Sequence, residues 1–288
     1  MPATLYIVST PIGNLEDITL RAIRVLKEVD VIAAEDTRHT AVLLRRYDIR
    51  TPTTSFHEHN EHQKVPLLVE RLDRGQDLAL VSDAGTPGIS DPGYRLAHAA
   101  REAGHRVQAV PGPSAVLTAL VSSGFPTDSF TFLGFPPRKA TARRQWAASL
   151  ADEPRTTIFF ESPHRLRQTL TVLQEYMGDR PICVGRELTK LHENMVVGPI
   201  NDFLAAPENH KGEFVIVVPP RPVEETSDQV ADDESVSRYF GHITETGDLS
   251  RRGAVTAVAR HFGMPPKAVY AVLERTKQKR KQRGFGET

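Results

Sequence analysis

The chain contains a single cysteine, Cys183, among 288 residues, so no intramolecular disulfide is open to it. That scarcity, and an N-terminus in which Met1 to Leu5 runs straight into strand-like sequence without a charged and apolar leader, points to the cytoplasm. Long hydrophobic runs are missing too. Runs such as Thr157 to Phe160 and Phe214 to Val218 fall far short of the roughly 20 residues that cross a bilayer, which excludes a helical membrane span. The motifs G-x-G-x-x-G, G-x-x-x-x-G-K-[ST], G-x-S-x-G and paired C-x-x-C are absent, so dinucleotide, P-loop, hydrolase-elbow and zinc-ribbon readings fail. Net charge is lacking as well, with 36 basic against 36 acidic residues.

That balance conceals a partition. Between Pro222 and Ser235 stand six acids and no base, whereas Ser250 to Thr288 holds ten bases and two acids, a local net of +8 (ten minus two). The acidic block reads as a solvated linker over 222–234. The basic run Arg275, Lys277, Lys279, Arg280, Lys281, Arg283 exceeds what helix C-terminal capping needs and suits phosphate contact, although a solvated cationic end is the alternative.

With 39% hydrophobic and 25% charged residues, the composition is globular, and the length suits about two domains of roughly 150 residues. Before the linker, β-branched runs alternate with helical patterns: Leu5–Ser9, Val31–Glu35, Asp77–Ser82, Arg106–Val110, Thr131–Leu133, Thr157–Phe160, Ile182–Gly185 and Glu213–Val218. This is an α/β pattern, and runs such as Leu78–Val81, apolar throughout, suit a mainly parallel sheet buried on both faces. Thr19 caps a helix carrying Ala22, Ile23, Leu26 and Val29; Pro163 starts another carrying Leu166, Leu170 and Leu173. After the linker the pattern is helical. Ser250 is the expected cap, Val255, Val258, Ala259 and Phe262 form one stripe, and a Gly263–Pro266 turn leads into Val269, Val272 and Leu273, as in a helix-turn-helix. The expected domains are 1–113 (N-terminal α/β), 114–221 (second α/β), 222–234 (acidic linker) and 235–288 (basic, helical, RNA-docking).

The histidine cluster His57-Glu58-His59-Asn60-Glu61-His62 lacks the i, i+4 pairing of H-E-x-x-H, since Glu61 follows His57 at that interval. It reads as a structural loop or a substrate contact, and no metal site is expected. Four loops at strand C-terminal ends are richer in meaning: Ser9–Asn14, Ser82–Asp91, Pro111–Ala115 and Glu161–Arg165. Open α/β sheets bind ligands at such ends. Glycine allows close backbone approach and proline fixes the chain, so these loops can present rigid backbone groups to a nucleoside.

The strings TPIGNLEDITLRA, AEDTRHT, FHEHNE, VSDAGTPGISDPG, VPGPSA, FFESPHR and GRELTK resemble the tetrapyrrole methylase superfamily over about residues 5–220, and within it the bacterial branch that methylates small-subunit ribosomal RNA on a cytidine ribose 2′-oxygen. The resemblance implies two α/β domains of mainly parallel or mixed sheets with S-adenosylmethionine in the cleft between them, and a homodimer acting on small-subunit ribosomal RNA or the 30S subunit. Carried over by position, the cofactor residues are Pro11, Ile12 and Gly13, Asp83 to Thr86 (Asp83, Ala84, Gly85, Thr86), Ile89, Ser114 and Ala115, and Phe160, Glu161 and Leu188. Ile12 stands where the family usually has a proline. Thr86 stands where it has an aspartate, with Asp83 as a displaced carboxylate.

Transfer to a 2′-hydroxyl needs alignment above all, plus a general base. Asp36, Glu58, Glu161, His164, Lys190 and Glu193 are candidates; Asp36 ranks first, beside Arg38, and Glu161 is named with it. Arg38, His57, Arg165, Lys277, Lys279, Arg280 and Lys281 are the expected RNA contacts. Two other classes remain open: a small-molecule tetrapyrrole-type methylase, which has no use for a +8 tail, and a non-catalytic nucleic-acid adaptor, which has no use for the ligand loops.

Overall fold

The computed structural model describes residues 2–207, 212–221, 233–245, 251–262 and 264–283. The chain divides into two compact units, Met1–Arg221 and Pro222–Thr288.

The first unit holds two five-stranded sheets. β1 (Thr4–Val8), β2 (Val31–Ala34), β3 (Thr53–Ser55), β4 (Leu78–Val81) and β5 (Arg106–Val110) form the first, in the order β3-β2-β4-β1-β5. Every pairing in it is parallel. Both faces are covered, which is why β2 and β4 are buried at every position. One face packs Ala22, Val25 and Leu26 of α1 (Leu20–Glu28) with Leu43 and Leu44 of α2 (Thr37–Arg46). The other packs Leu68 and Leu72 of α3 (Glu61–Asp73) with Leu96 and Ala100 of α4 (Tyr94–Glu102). Thr19 caps α1 as its sequence implies, its hydroxyl accepting from the Ala22 amide at 3.0 Å. Connections from β1 and β4 leave in opposite directions along the sheet, since β1 leads to β2 and β4 leads to β5. Such a divergence opens a crevice at the strands' carboxyl ends.

The second sheet comprises β6 (Phe130–Phe132), β7 (Thr156–Glu161), β8 (Pro181–Arg186), β9 (Asn194–Pro199) and β10 (Phe214–Val218), ordered β6-β7-β10-β8-β9. Only β6 and β7 run parallel; the other pairings are antiparallel. α5 (Ala115–Ser122) packs on one face through Val116, Ala119 and Leu120, in a cluster that also takes in Ile12 of the first sheet's leading loop. α6 (Ala140–Ala151), α7 (Pro163–Met177) and α8 (Ile200–Ala205) contribute to the opposite core. β3 and β9 stand outside the strands that the sequence pattern marks. β3 is three Thr and Ser residues without an apolar pattern, and β9 is an edge strand whose Val196 and Val197 are both largely exposed, so neither carries the burial signature of a strand.

In the second unit, α9 (Asp233–Glu245), α10 (Arg251–His261) and α11 (Pro266–Arg283) surround Val236, Val255, Val258, Val269 and Val272. The final two residues of the expected linker are the first turn of α9, where Asp233 pairs with Arg275 at 2.8 Å. Ser250, Gly263 and most of the acidic stretch lie outside the described residues.

Candidate functional site

A cavity of about 420 Å³ opens between the two sheets of the first unit, within the range of small-molecule sites. Its wall combines Ile12, Ala84, Gly85, Thr86 and Ile89 from the first sheet's loops with Phe160, Leu188 and Val215 from the second, and the first turn of α5 (Ser114, Ala115, Val116).

Two of the loops are locked together at its floor. Thr10 and Gly85 exchange backbone hydrogen bonds of 2.8 and 3.0 Å, and the hydroxyls of Ser9 and Thr86 are 2.8 Å apart. Gly85 has φ +76°, a left-handed conformation that a side chain would strain. Ser114 caps α5, its hydroxyl accepting from the Leu117 amide at 3.4 Å. Helix-start amides favour an anionic group beside them.

The same wall carries three carboxylates in its first-sheet half: Glu35, Asp83 and Asp91. Two of them brace the strand ends. Glu35 accepts from the Asp83 amide at 3.2 Å, while Asp83 accepts from the Asp36 amide at 3.0 Å. Burial, with the negative charge of Asp83 adding to it, pushes Glu35 upward. Asp91 is pushed up to about 6, chiefly by burial and next by the Glu35 charge. A carboxylate that loses its proton near neutrality is matched to general-base work. Sequence reasoning misses Glu35 and Asp91 as individual candidates, although both lie in segments that it singles out. The signal that finds them is convergence in space, which pairs the end of β2 with the loop after β4.

Placement corrects several expectations. Asp36 caps α2 and chelates Arg38: its oxygens accept from the Arg38 amide and guanidinium, each at 2.8 Å. Those hydrogen bonds hold its carboxyl well below the usual range, which makes it a poor proton acceptor. Glu161 does line the cavity, but its side chain is fully buried and committed. One oxygen accepts from the Ser162 amide at 2.8 Å and the other from the Thr169 hydroxyl at 2.6 Å. Lys190 is no base either. Burial alone would lower it, yet hydrogen bonds to Glu213 and Glu187 at 2.9 and 3.0 Å outweigh that and keep it an ammonium.

The first loop contributes Ile12 alone to the cavity wall. Gly13 instead admits the 188–190 turn: a Cβ there would collide with the Lys190 side chain and come within 2.8 Å of the Leu188 carbonyl. The Asn14 amide donates to the Thr189 hydroxyl at 3.1 Å. Arg165 faces inward, donating to the Pro136 and Pro137 carbonyls at 2.7 and 3.2 Å. His57 is half-buried, its Nε2 3.0 Å from the Asn60 side-chain Nδ2. Arg38 and Lys277 are exposed. The side chains of Lys279, Arg280 and Lys281 lie outside the described residues. Among the described residues no group of three His, Cys, Asp or Glu is placed to hold a metal, and no helix is long and apolar enough to cross a membrane.

The tetrapyrrole (corrin/porphyrin) methylase family model matches residues 4–204. The chain is 43% identical over 271 residues to "Ribosomal RNA small subunit methyltransferase I" of Haemophilus influenzae, covering 92% of this chain and 94% of that one. It is 51% identical over 217 residues to the protein of the same name from Synechocystis, covering 74% and 78%. Among solved structures, uroporphyrin-III-C-methyltransferase from Thermus thermophilus is similar at TM-score 0.54 and 22% identity, over 75% of this chain and 94% of that one. At that identity the likeness concerns the fold alone.

Proposed function

The chain belongs to the tetrapyrrole (corrin/porphyrin) methylase family, and from that premise we propose that it is an S-adenosylmethionine-dependent methyltransferase of small-subunit ribosomal RNA, acting on the ribose 2′-oxygen of a cytidine. The observation that carries this reading is the 43% identity, along 92% of the chain, to a relative named for methylating that RNA. The alternatives of a tetrapyrrole-type methylase and a non-catalytic adaptor have no comparable support.

The cavity fits the cofactor. It offers apolar walls from Phe160, Leu188 and Val215, an open backbone at Gly85, and helix-start donors at Ser114 and Ala115 for a carboxylate. Pro11 and Gly13 support this site from outside, by shaping the loop that delivers Ile12. Bound there, S-adenosylmethionine supplies an electrophilic methyl group on a sulfonium. What remains for the protein is to align the ribose oxygen and to take its proton. We assign the proton to Asp91, which lines the cavity and is pushed up to about 6 by burial and by Glu35. Glu161, through its hold on Ser162 and Thr169, positions the start of α7. Calorimetric titration with S-adenosylmethionine, followed by radiolabelled methyl transfer to undermethylated 30S subunits, tests the reading; binding without transfer would reject it.

The unit from 222 to 288 supplies RNA affinity on this reading, and the enzyme works in the cytoplasm as a homodimer. Deleting residues 222–288 is expected to leave cofactor affinity within about twofold while weakening subunit binding. The slope of log K against log salt becomes shallower, by roughly one unit for each phosphate no longer neutralised. Replacing Lys277, Lys279, Arg280 and Lys281 with Gln gives part of that change. Wild-type salt dependence in both variants would leave the tail a solvated cationic end.

A further inference from the structure

The loop Gly134-Phe135-Pro136-Pro137-Arg138-Lys139 following β6 supplies none of the residues assigned to the cofactor, yet three successive carbonyls of it are held by buried or half-buried arginines. Two guanidinium groups hold it from beneath. Arg165 donates to the carbonyls of Pro136 and Pro137 at 2.7 and 3.2 Å. Arg143, only 3% exposed, donates to those of Pro137 and Arg138 at 3.4 and 3.3 Å. Two consecutive prolines fix the backbone further. This scaffold presents three side chains outward. Phe135 is 54% exposed although it lines the cavity, and its ring rests edge-on against Phe160 with centroids 5.7 Å apart. Arg138 and Lys139 are exposed, and neither has an ion-pair partner among the described residues. Across the cleft the loop meets the carboxylate side: a Cβ on Gly134 would lie 3.6 Å from the Ser90 hydroxyl, one residue before Asp91.

An exposed aromatic face at the mouth of a nucleoside-sized cavity, flanked by two exposed cations, matches the chemistry of single-stranded RNA: a π surface for a base beside charges for its phosphates. We propose that Phe135 stacks on the base of an RNA nucleotide entering the cleft and that Arg138 and Lys139 hold its adjoining phosphates. The inference rests on the substrate reading above and deepens it by locating where the strand lies. A second copy of this chain is the competing occupant, since Phe130 and Leu133 nearby are also partly exposed. The exposed cations and continuity with the cavity favour RNA.

The test compares Phe135→Ala, Phe135→Trp and the double variant Arg138→Gln/Lys139→Gln with wild type. It measures affinity for undermethylated 30S subunits and for a short single-stranded RNA, S-adenosylmethionine affinity, and oligomeric state by sedimentation. All three positions are exposed, so folding is retained. Phe135→Ala is expected to weaken RNA binding about 5- to 100-fold, with Phe135→Trp restoring most of it, because stacking tolerates any large aromatic face. The double variant makes the salt slope shallower by up to about two units. Cofactor affinity stays at the wild-type value in the double variant and falls by much less than RNA affinity in Phe135→Ala, whose ring also borders the cofactor wall at Phe160; sedimentation is unchanged in all three. Unchanged RNA affinity in Phe135→Ala, an equal loss of cofactor affinity, or a shift in oligomeric state would each overturn the proposal. If wild type binds the short RNA but methylates no subunits, the substrate reading fails, and the seat still stands or falls on the short RNA.

Discussion

Asp91→Asn is expected to lower kcat for methyl transfer by about 10²- to 10⁴-fold, the usual contribution of a positioned general base, with little change in cofactor affinity. The amide keeps the shape and loses the proton-accepting oxygen. The pH dependence makes the assignment specific. Asp91 is pushed up to about 6, so wild-type activity rises with pH through that value and levels off above it, whereas the variant lacks that limb. Stability moves the other way. A carboxyl whose folded value lies above the ordinary 3.8 favours the folded state while protonated, and that contribution is lost as pH rises through about 6. At neutral pH the ionised, partly buried group therefore costs stability. The variant melts a few degrees higher at neutral pH, and the gain shrinks as the pH falls toward the ordinary carboxylate range. A full-rate Asp91→Asn enzyme would move the proton elsewhere on the wall, with Glu35 next to be tested.

Ser114→Trp is expected to raise the dissociation constant for S-adenosylmethionine by at least about 100-fold, because an indole at the first turn of α5 occupies the space that the cavity reserves there. Ser114 is also a helix cap, so a second effect must be separated. Losing the cap costs about 1 kcal/mol of stability, and Ser114→Ala measures it without adding bulk. The alanine variant is expected to bind within about tenfold of wild type and to melt slightly lower. Calorimetry on both variants, with circular dichroism to confirm the fold, distinguishes filling of the site from damage to the helix. Wild-type affinity in Ser114→Trp would remove Ser114 and Ala115 from the site.

Much of the fold was legible because its strands carry a strong burial signature. Val31–Ala34 and Leu78–Val81 are apolar throughout and lie in the interior of a parallel sheet; β3 and β9 are edge strands with polar or exposed residues and left no such mark. The loops at the cleft were legible through glycine and proline. What each side chain does there was less so. Asp36 looks like a base at a strand end, but sequence does not reveal that its oxygens turn back to cap α2 and grip Arg38. Arg165 reads as an RNA-contacting cation until the 136–137 carbonyls are seen against it. Asp91 shows the converse. Its perturbation depends on burial and on Glu35, fifty-six positions away, and no local pattern encodes that proximity.

The most direct test of the central claim is the product itself. Undermethylated 30S subunits are incubated with the purified protein and S-adenosylmethionine, and the ribosomal RNA is then digested and mapped by mass spectrometry. The expected product carries one added methyl group per subunit, on the ribose 2′-oxygen of a cytidine, and Asp91→Asn forms it about 10²- to 10⁴-fold more slowly. Bound cofactor with no methyl group in the RNA, or a methyl group placed on a base rather than a ribose, would contradict it.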